Sequence, residues 1–144
     1  MSADTTVEEG ERGAAGAAPE RVRVLHVERD VGVGALTEQY VEAAYPSVEV
    51  THVRGTGYGG EVAAAVAEGV DCVVTDHRPP LTDAGVVAGT VAAVDETVPV
   101  VVFSAAPDER IEGAAAVLRK RSGLDGLDAL VGTVVGLAAD GDGE

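Results

Sequence analysis

The sequence predicts a doubly wound α/β domain built on a parallel sheet, and three observations predict it. Short runs rich in Val, Leu and other apolar residues recur at positions 22–27, 48–53, 71–75, 98–103 and 115–118, each of strand length. Helix-compatible segments lie between them, which is the alternation that parallel sheets require. The third run ends in Asp76, followed by His77, Arg78, Pro79 and Pro80. Two prolines lack N–H donors and fix φ, so the strand cannot continue. A lone carboxylate therefore stands at the carboxyl end of a central strand, where open α/β sheets place their chemistry.

Residues 1–19 are mostly Glu, Gly, Ala and Thr without usable periodicity, and read as a disordered acidic tail. The ordered domain is expected over 20–139. Strand one, 22–27, leads to a helix at 34–45 with Leu36, Tyr40, Val41 and Ala44 on one stripe. Strand two, 48–53, alternates. The loop 54–60 opens an Ala/Val helix that runs through Glu68. After strand three, Asp83 caps a helix at 84–94. Strand four is 98–103. Residues 108–114 allow only a short helix before a weak strand five at 115–118. A last amphipathic helix, 124–138, carries Leu127, Leu130, Val131, Val134, Val135 and Leu137, and 140–144 form an acidic tail. With right-handed crossovers, five strands in this arrangement predict the flavodoxin-like order 2-1-3-4-5, with a shortened fourth helix.

Composition narrows the function classes. The 144 residues suffice for one domain with a real core, and 46% are hydrophobic. A net charge of -15 argues against binding nucleic acid or an anionic membrane over the whole surface. Nine of the ten basic residues are Arg and one, Lys120, is Lys. The acidic surplus resembles that of proteins from salt-loving archaea, where it serves solubility, because concentrated salt shortens the Debye length to roughly 3 Å. The single Cys72 lies inside a strand, fits a reduced cytoplasmic interior, and reads as core. No apolar run is long enough to span a membrane. His26 reads as a packed core histidine. With His52 and His77 scattered and one cysteine, no zinc-type spacing appears.

In a parallel sheet all carboxyl ends share one edge, so Glu28 after strand one, Asp76, Ser104 after strand four and Lys120 after strand five should converge. A carboxylate nucleophile, a second acid, a hydroxyl and an ammonium suit phosphoryl transfer to Asp76. The acids would hold Mg²⁺. Through Val24-Leu25-His26-Val27-Glu28, Val73-Val74-Thr75-Asp76 with Pro80, Val101-Val102-Phe103-Ser104-Ala105 and Leu118-Arg119-Lys120, the chain resembles a response-regulator receiver domain of the haloarchaeal kind. The resemblance covers roughly 21–138. It implies Asp76 as phosphoacceptor, Ser104 as switch hydroxyl and Lys120 as the phosphate-contacting lysine. Glu28, Asp76 and the backbone carbonyl of Arg78 would be the Mg²⁺ contacts. A histidine kinase or phosphotransfer protein would be the partner upstream and another protein downstream. The chain would act as a signalling domain and, at most, catalyse its own phosphorylation.

Three positions depart from the family pattern. Arg29 stands where the metal-binding second acid is usual, Val117 where an aromatic switch residue is usual, and Lys120 lies only 16 positions after Ser104. Arg29 replaces a negative charge by a positive one beside Asp76, and a unit pair at 4 Å is worth roughly 4 kcal/mol at an effective dielectric of 20. Arg29 is therefore expected to weaken the Mg²⁺ site and to pair with Asp76 or Glu28. These departures support an alternative, a phosphorylation-independent pseudo-receiver that binds a partner. A further alternative is a dinucleotide-binding protein, because Gly55-Thr56-Gly57-Tyr58-Gly59-Gly60 matches G-x-G-x-x-G and Asp76 ends the next strand. That reading leaves strand one, Ser104 and Lys120 without roles.

Overall fold

A computed structural model describes residues 21–54, 60–79, 81–105, 110–121 and 125–142. Its elements run β1 (Val22–Val27), α1 (Val31–Ala44), β2 (Val48–Val53), α2 (Gly60–Glu68), β3 (Cys72–Thr75), α3 (Ala84–Val94), β4 (Val100–Ser104), β5 (Ala116–Arg119) and α4 (Asp125–Asp142). The five strands are parallel in the order β2-β1-β3-β4-β5, as expected from the sequence. The predicted tail 1–19 and positions 55–59 of the glycine motif 55–60 lie outside the described residues.

Strand alternation divides the core. Val24, Cys72, Val74, Val101 and Phe103 pack under Val41 of α1 and Leu127, Leu130, Val131 and Val134 of α4. Leu25, Val27, Val73 and Val100 face the other way, against Val62 and Val66 of α2 and Val87, Ala88 and Val91 of α3. Side chains two apart share a face, so each strand feeds both layers and needs apolar residues at nearly every position. With few aromatics available, valine fills this role, and its branched Cβ suits the pleated surface.

Four details differ from the sequence expectation. Helix α1 starts at Val31, earlier than expected, because Asp30 adopts the N-cap position and its side chain accepts the Val33 N–H. The buried stripe of α1 is Gly34, Thr37 and Val41, while Leu36 is 69% exposed. A predicted core residue thus lies outside, because the helix docks through Gly34 against His52 of β2. The last helix continues through Asp142, so the supposed acidic tail begins inside it. Between β4 and β5, the described residues 105 and 110–115 form no helix. Gly113 turns there at φ +90, a conformation open to glycine, and a Cβ on it would stand 3.1 Å from the Ala88 side chain. The chain therefore crosses α3 in close contact and enters β5 through the Ala115 N–H to Val100 carbonyl bond. Asp83 caps α3 as expected, accepting from the Gly85 and Val86 N–H groups.

Candidate functional site

The period of two that builds the core also builds the site. Val24, His26 and Glu28 continue one face of β1, Cys72, Val74 and Asp76 that of β3, and Ala116, Leu118 and Lys120 that of β5. Register brings them level: Val27 pairs with Thr75, and Ser104 with Arg119. The Asp76 N–H donates to the Val27 carbonyl, and the Lys120 N–H to the Ser104 carbonyl. Each ladder thus runs one residue past the last assigned strand residue, carrying Asp76 and Lys120 into fixed positions.

Lys120 Nζ donates to Glu28 Oε1 at 2.9 Å and lies 3.5 Å from Asp76 Oδ1. Both carboxylates are buried, and the lysine side chain is 24% exposed. Two buried acids side by side would repel strongly, and the ammonium offsets this at short range in a medium of reduced dielectric. Phe103 packs below, its ring centroid 5.9 Å from Nζ. Glu28 is held at every polar group. Its N–H donates to the Val53 carbonyl, its carbonyl lies 2.7 Å from His52 Nε2, and its Oε2 accepts the Asp30 N–H.

Ser104 is buried at the end of β4, and its hydroxyl donates to the His77 carbonyl at 3.3 Å. This ties the hydroxyl to the loop immediately after Asp76. The His77 ring turns away to α3, where Nδ1 accepts the Ala84 N–H. All three residues assigned to phosphoryl chemistry, Asp76, Ser104 and Lys120, therefore stand on one sheet edge with Glu28.

The pairing expected of Arg29 needs correction. Among the described residues, Arg29 makes no ion pair with Asp76 or Glu28; Lys120 takes that place. The acid that follows, Asp30, is committed to capping α1. The Arg78 carbonyl, expected to face a cation, accepts the N–H groups of Leu81 and Thr82, and both its lone pairs are engaged in that turn. No cluster of three or more His, Cys, Asp and Glu side chains suited to a metal occurs among the described residues. Mg²⁺ demands near-octahedral oxygen donors. As arranged, the residues do not fit it, since the ammonium occupies the space between the two acids.

His26 lies beneath the acids and is 3% exposed. Burial is the main reason its imidazole is driven down from 6.5 to about 3; neighbouring His52 and Lys120 add to the shift and Asp76 opposes it. It is a neutral core histidine, as its sequence position suggested, but its Nδ1 has no hydrogen-bond partner. It also lines a small apolar cavity of about 20 Å³ with Thr37 and Val74. Burial likewise pushes the Cys72 thiol up to about 12, which keeps it unreactive.

The solved structures that this chain resembles share the fold. The response regulator TrrA of Thermotoga maritima, solved with Mg²⁺ and BeF, is 19% identical, with a TM-score of 0.64 over 78% of this chain and 98% of its own. A response regulator receiver protein of Sinorhizobium medicae is 21% identical, with a TM-score of 0.65 over 86% and 99%. A receiver domain of Methanospirillum hungatei, described as CheY-like, is 16% identical, with a TM-score of 0.66 over 85% and 98%. The chain has the response-regulator receiver fold. No protein-family model and no curated protein matches its sequence.

Proposed function

We propose that the chain is a receiver module of two-component signalling in which Asp76 accepts a phosphoryl group. The observation that carries this reading is Lys120 Nζ held 3.5 Å from Asp76 Oδ1, on a sheet edge that also bears Ser104. The Asp76 carboxylate attacks phosphorus, a new P–O bond forms, and the donor's bond to phosphorus breaks with its electron pair on the donor. Lys120 is placed to exchange a carboxylate oxygen for a phosphoryl oxygen at short range. The Ser104 hydroxyl offers a further donor on the same edge. A histidine kinase or phosphotransfer protein supplies the phosphoryl group, and a separate protein reads the result. The chain catalyses its own modification and is not a turnover enzyme. No helix of the described residues is long and apolar enough to cross a membrane.

A second reading, partner binding without phosphorylation, is favoured by one observation: both acids are already paired with Lys120, and no third His, Cys, Asp or Glu joins them in a metal cluster among the described residues. Acetyl phosphate with Mg²⁺ or with a chelator, followed by intact-mass measurement, separates the two readings. Addition of one phosphoryl mass to the wild type and none to Asp76→Asn is the expected result. Equal extents with and without Mg²⁺ would show that the ammonium suffices. An unmodified wild type leaves the partner-binding reading.

A further inference from the structure

Glu28 is held at its N–H, its carbonyl and both carboxylate oxygens, and one of these restraints comes from a side chain outside the site. Strand β2 ends at Val53, so the β1–β2 ladder has little left with which to hold the Glu28 peptide. The Val53 carbonyl takes its N–H, and His52 Nε2 approaches its carbonyl at 2.7 Å. Since a carbonyl only accepts, Nε2 must carry a proton, which fixes the ring's orientation. The ring can lie there only because α1 has a glycine opposite. A Cβ at Gly34 would fall 2.4 Å from both Cε1 and Nε2 of His52. Gly34 is buried inside α1, where glycine costs roughly 0.5–1 kcal/mol relative to alanine. A costly glycine in contact with a polar ring is a matched pair, one residue making room for the other.

We propose that His52, seated in the Gly34 notch, is a positioning residue for Glu28 and through it for Lys120. The inference deepens the receiver reading and rests on it for its functional consequence. With the Glu28 carbonyl fixed, its side chain projects from an immobile base. Its Oε2 is then pinned by the Asp30 N–H, leaving Oε1 aimed at Nζ. Loss of the His52 bond frees the peptide that joins β1 to the α1 cap, and Glu28 no longer holds the ammonium beside Asp76. His52 touches none of the reacting atoms.

Lys120 is the sole lysine of the chain, so a lysine-selective acylating reagent read by mass reports on it directly, with the N-terminal amine resolved by peptide mapping. His52→Leu keeps bulk and removes the donor. His52→Gln restores an amide donor near the Nε2 position. Gly34→Ala displaces the ring while leaving His52 in the sequence. We expect Leu and Ala to speed Lys120 acylation roughly fivefold and Gln to return it most of the way to wild type. Folded Leu and Ala variants with the wild-type rate would overturn the proposal. Where either variant fails to fold, imidazole ¹⁵N shifts of the wild type decide, since a His52 ring protonated on Nδ1 and bare on Nε2 is incompatible with it.

Neither readout needs phosphorylation. A wild type that takes no phosphoryl group defeats the receiver mechanism without touching the positioning claim. A wild type that does take one should lose about fivefold in phosphorylation rate with His52→Leu and recover it with His52→Gln. An unchanged rate in His52→Leu counts against the proposal.

Discussion

Glu28 and Lys120 meet at 2.9 Å, yet the strands that deliver them are built in opposite ways. Strand β1 lies between β2 and β3, and Val24, Leu25, His26 and Val27 are all buried. Strand β5 is an edge strand, with Ala116, Val117 and Leu118 only partly covered and Arg119 exposed. Glu28 is tied at its N–H, its carbonyl and both carboxylate oxygens. Lys120 is tied by one ladder hydrogen bond and by the acids themselves. The site thus joins a rigid acidic side to a compliant cationic side. Of the two sides, the one with fewer restraints to lose is the β5 edge.

The comparison breaks first at the core. Leu25→Ala, at a position with 0% exposure in the layer under α2 and α3, should cost about 3 kcal/mol. Leu118→Ala, at a half-covered edge position, should cost about 1 kcal/mol. Urea unfolding measures both, and equal losses would remove the distinction between the strands.

The next effect lies at the junction. Lys120→Met leaves two buried carboxylates facing each other without a cation. Allowing for the partial exposure of the lysine, the loss should be about 2 kcal/mol near neutral pH. Lys120→Arg should recover part of this loss but not the geometry, because a planar guanidinium cannot replace a compact ammonium between two acids. A Lys120→Met variant as stable as the wild type would mean that the acids do not depend on β5.

The smallest effect, per unit of pH, sharpens the β1 side. Native His26 stays neutral down to about 3, while the unfolded chain takes up a proton below 6.5. Stability from this residue is therefore complete above 6.5 and declines as pH falls toward 3, with a slope on the order of 1 kcal/mol per unit. His26→Leu should flatten that part of the profile, measured as urea midpoints near pH 7 and pH 5. A profile unchanged by His26→Leu would place the acid sensitivity elsewhere.

Much of the site was legible in the sequence because strand ends are. Asp76 before two prolines, Ser104 and Lys120 at the ends of apolar runs, and Glu28 after the first run all reach the edge the pattern assigned to them. Arg29 misled because the sequence showed a charge next to the acids and not which residue would reach them. The ammonium that does so lies 92 positions along the chain from Glu28. Leu36 misled in the same manner: periodicity made it a core residue, and the seating of Gly34 on His52 turned it out to solvent. The Arg78 carbonyl was placed by family pattern, whereas a local turn claims it.

By itself the sequence determined the five parallel strands, their order, and the residues that stand at their carboxyl ends. Local physics suffices for these, because apolar runs, helix caps and prolines act over a few neighbouring residues and right-handed crossovers constrain the rest. Only the tertiary structure decided which cation pairs with Asp76 and Glu28, and that a histidine on β2 needs a glycine on α1. Those outcomes depend on the meeting of groups far apart in the chain, where a distance of a few ångströms sets both the strength of an ion pair and whether a ring has room.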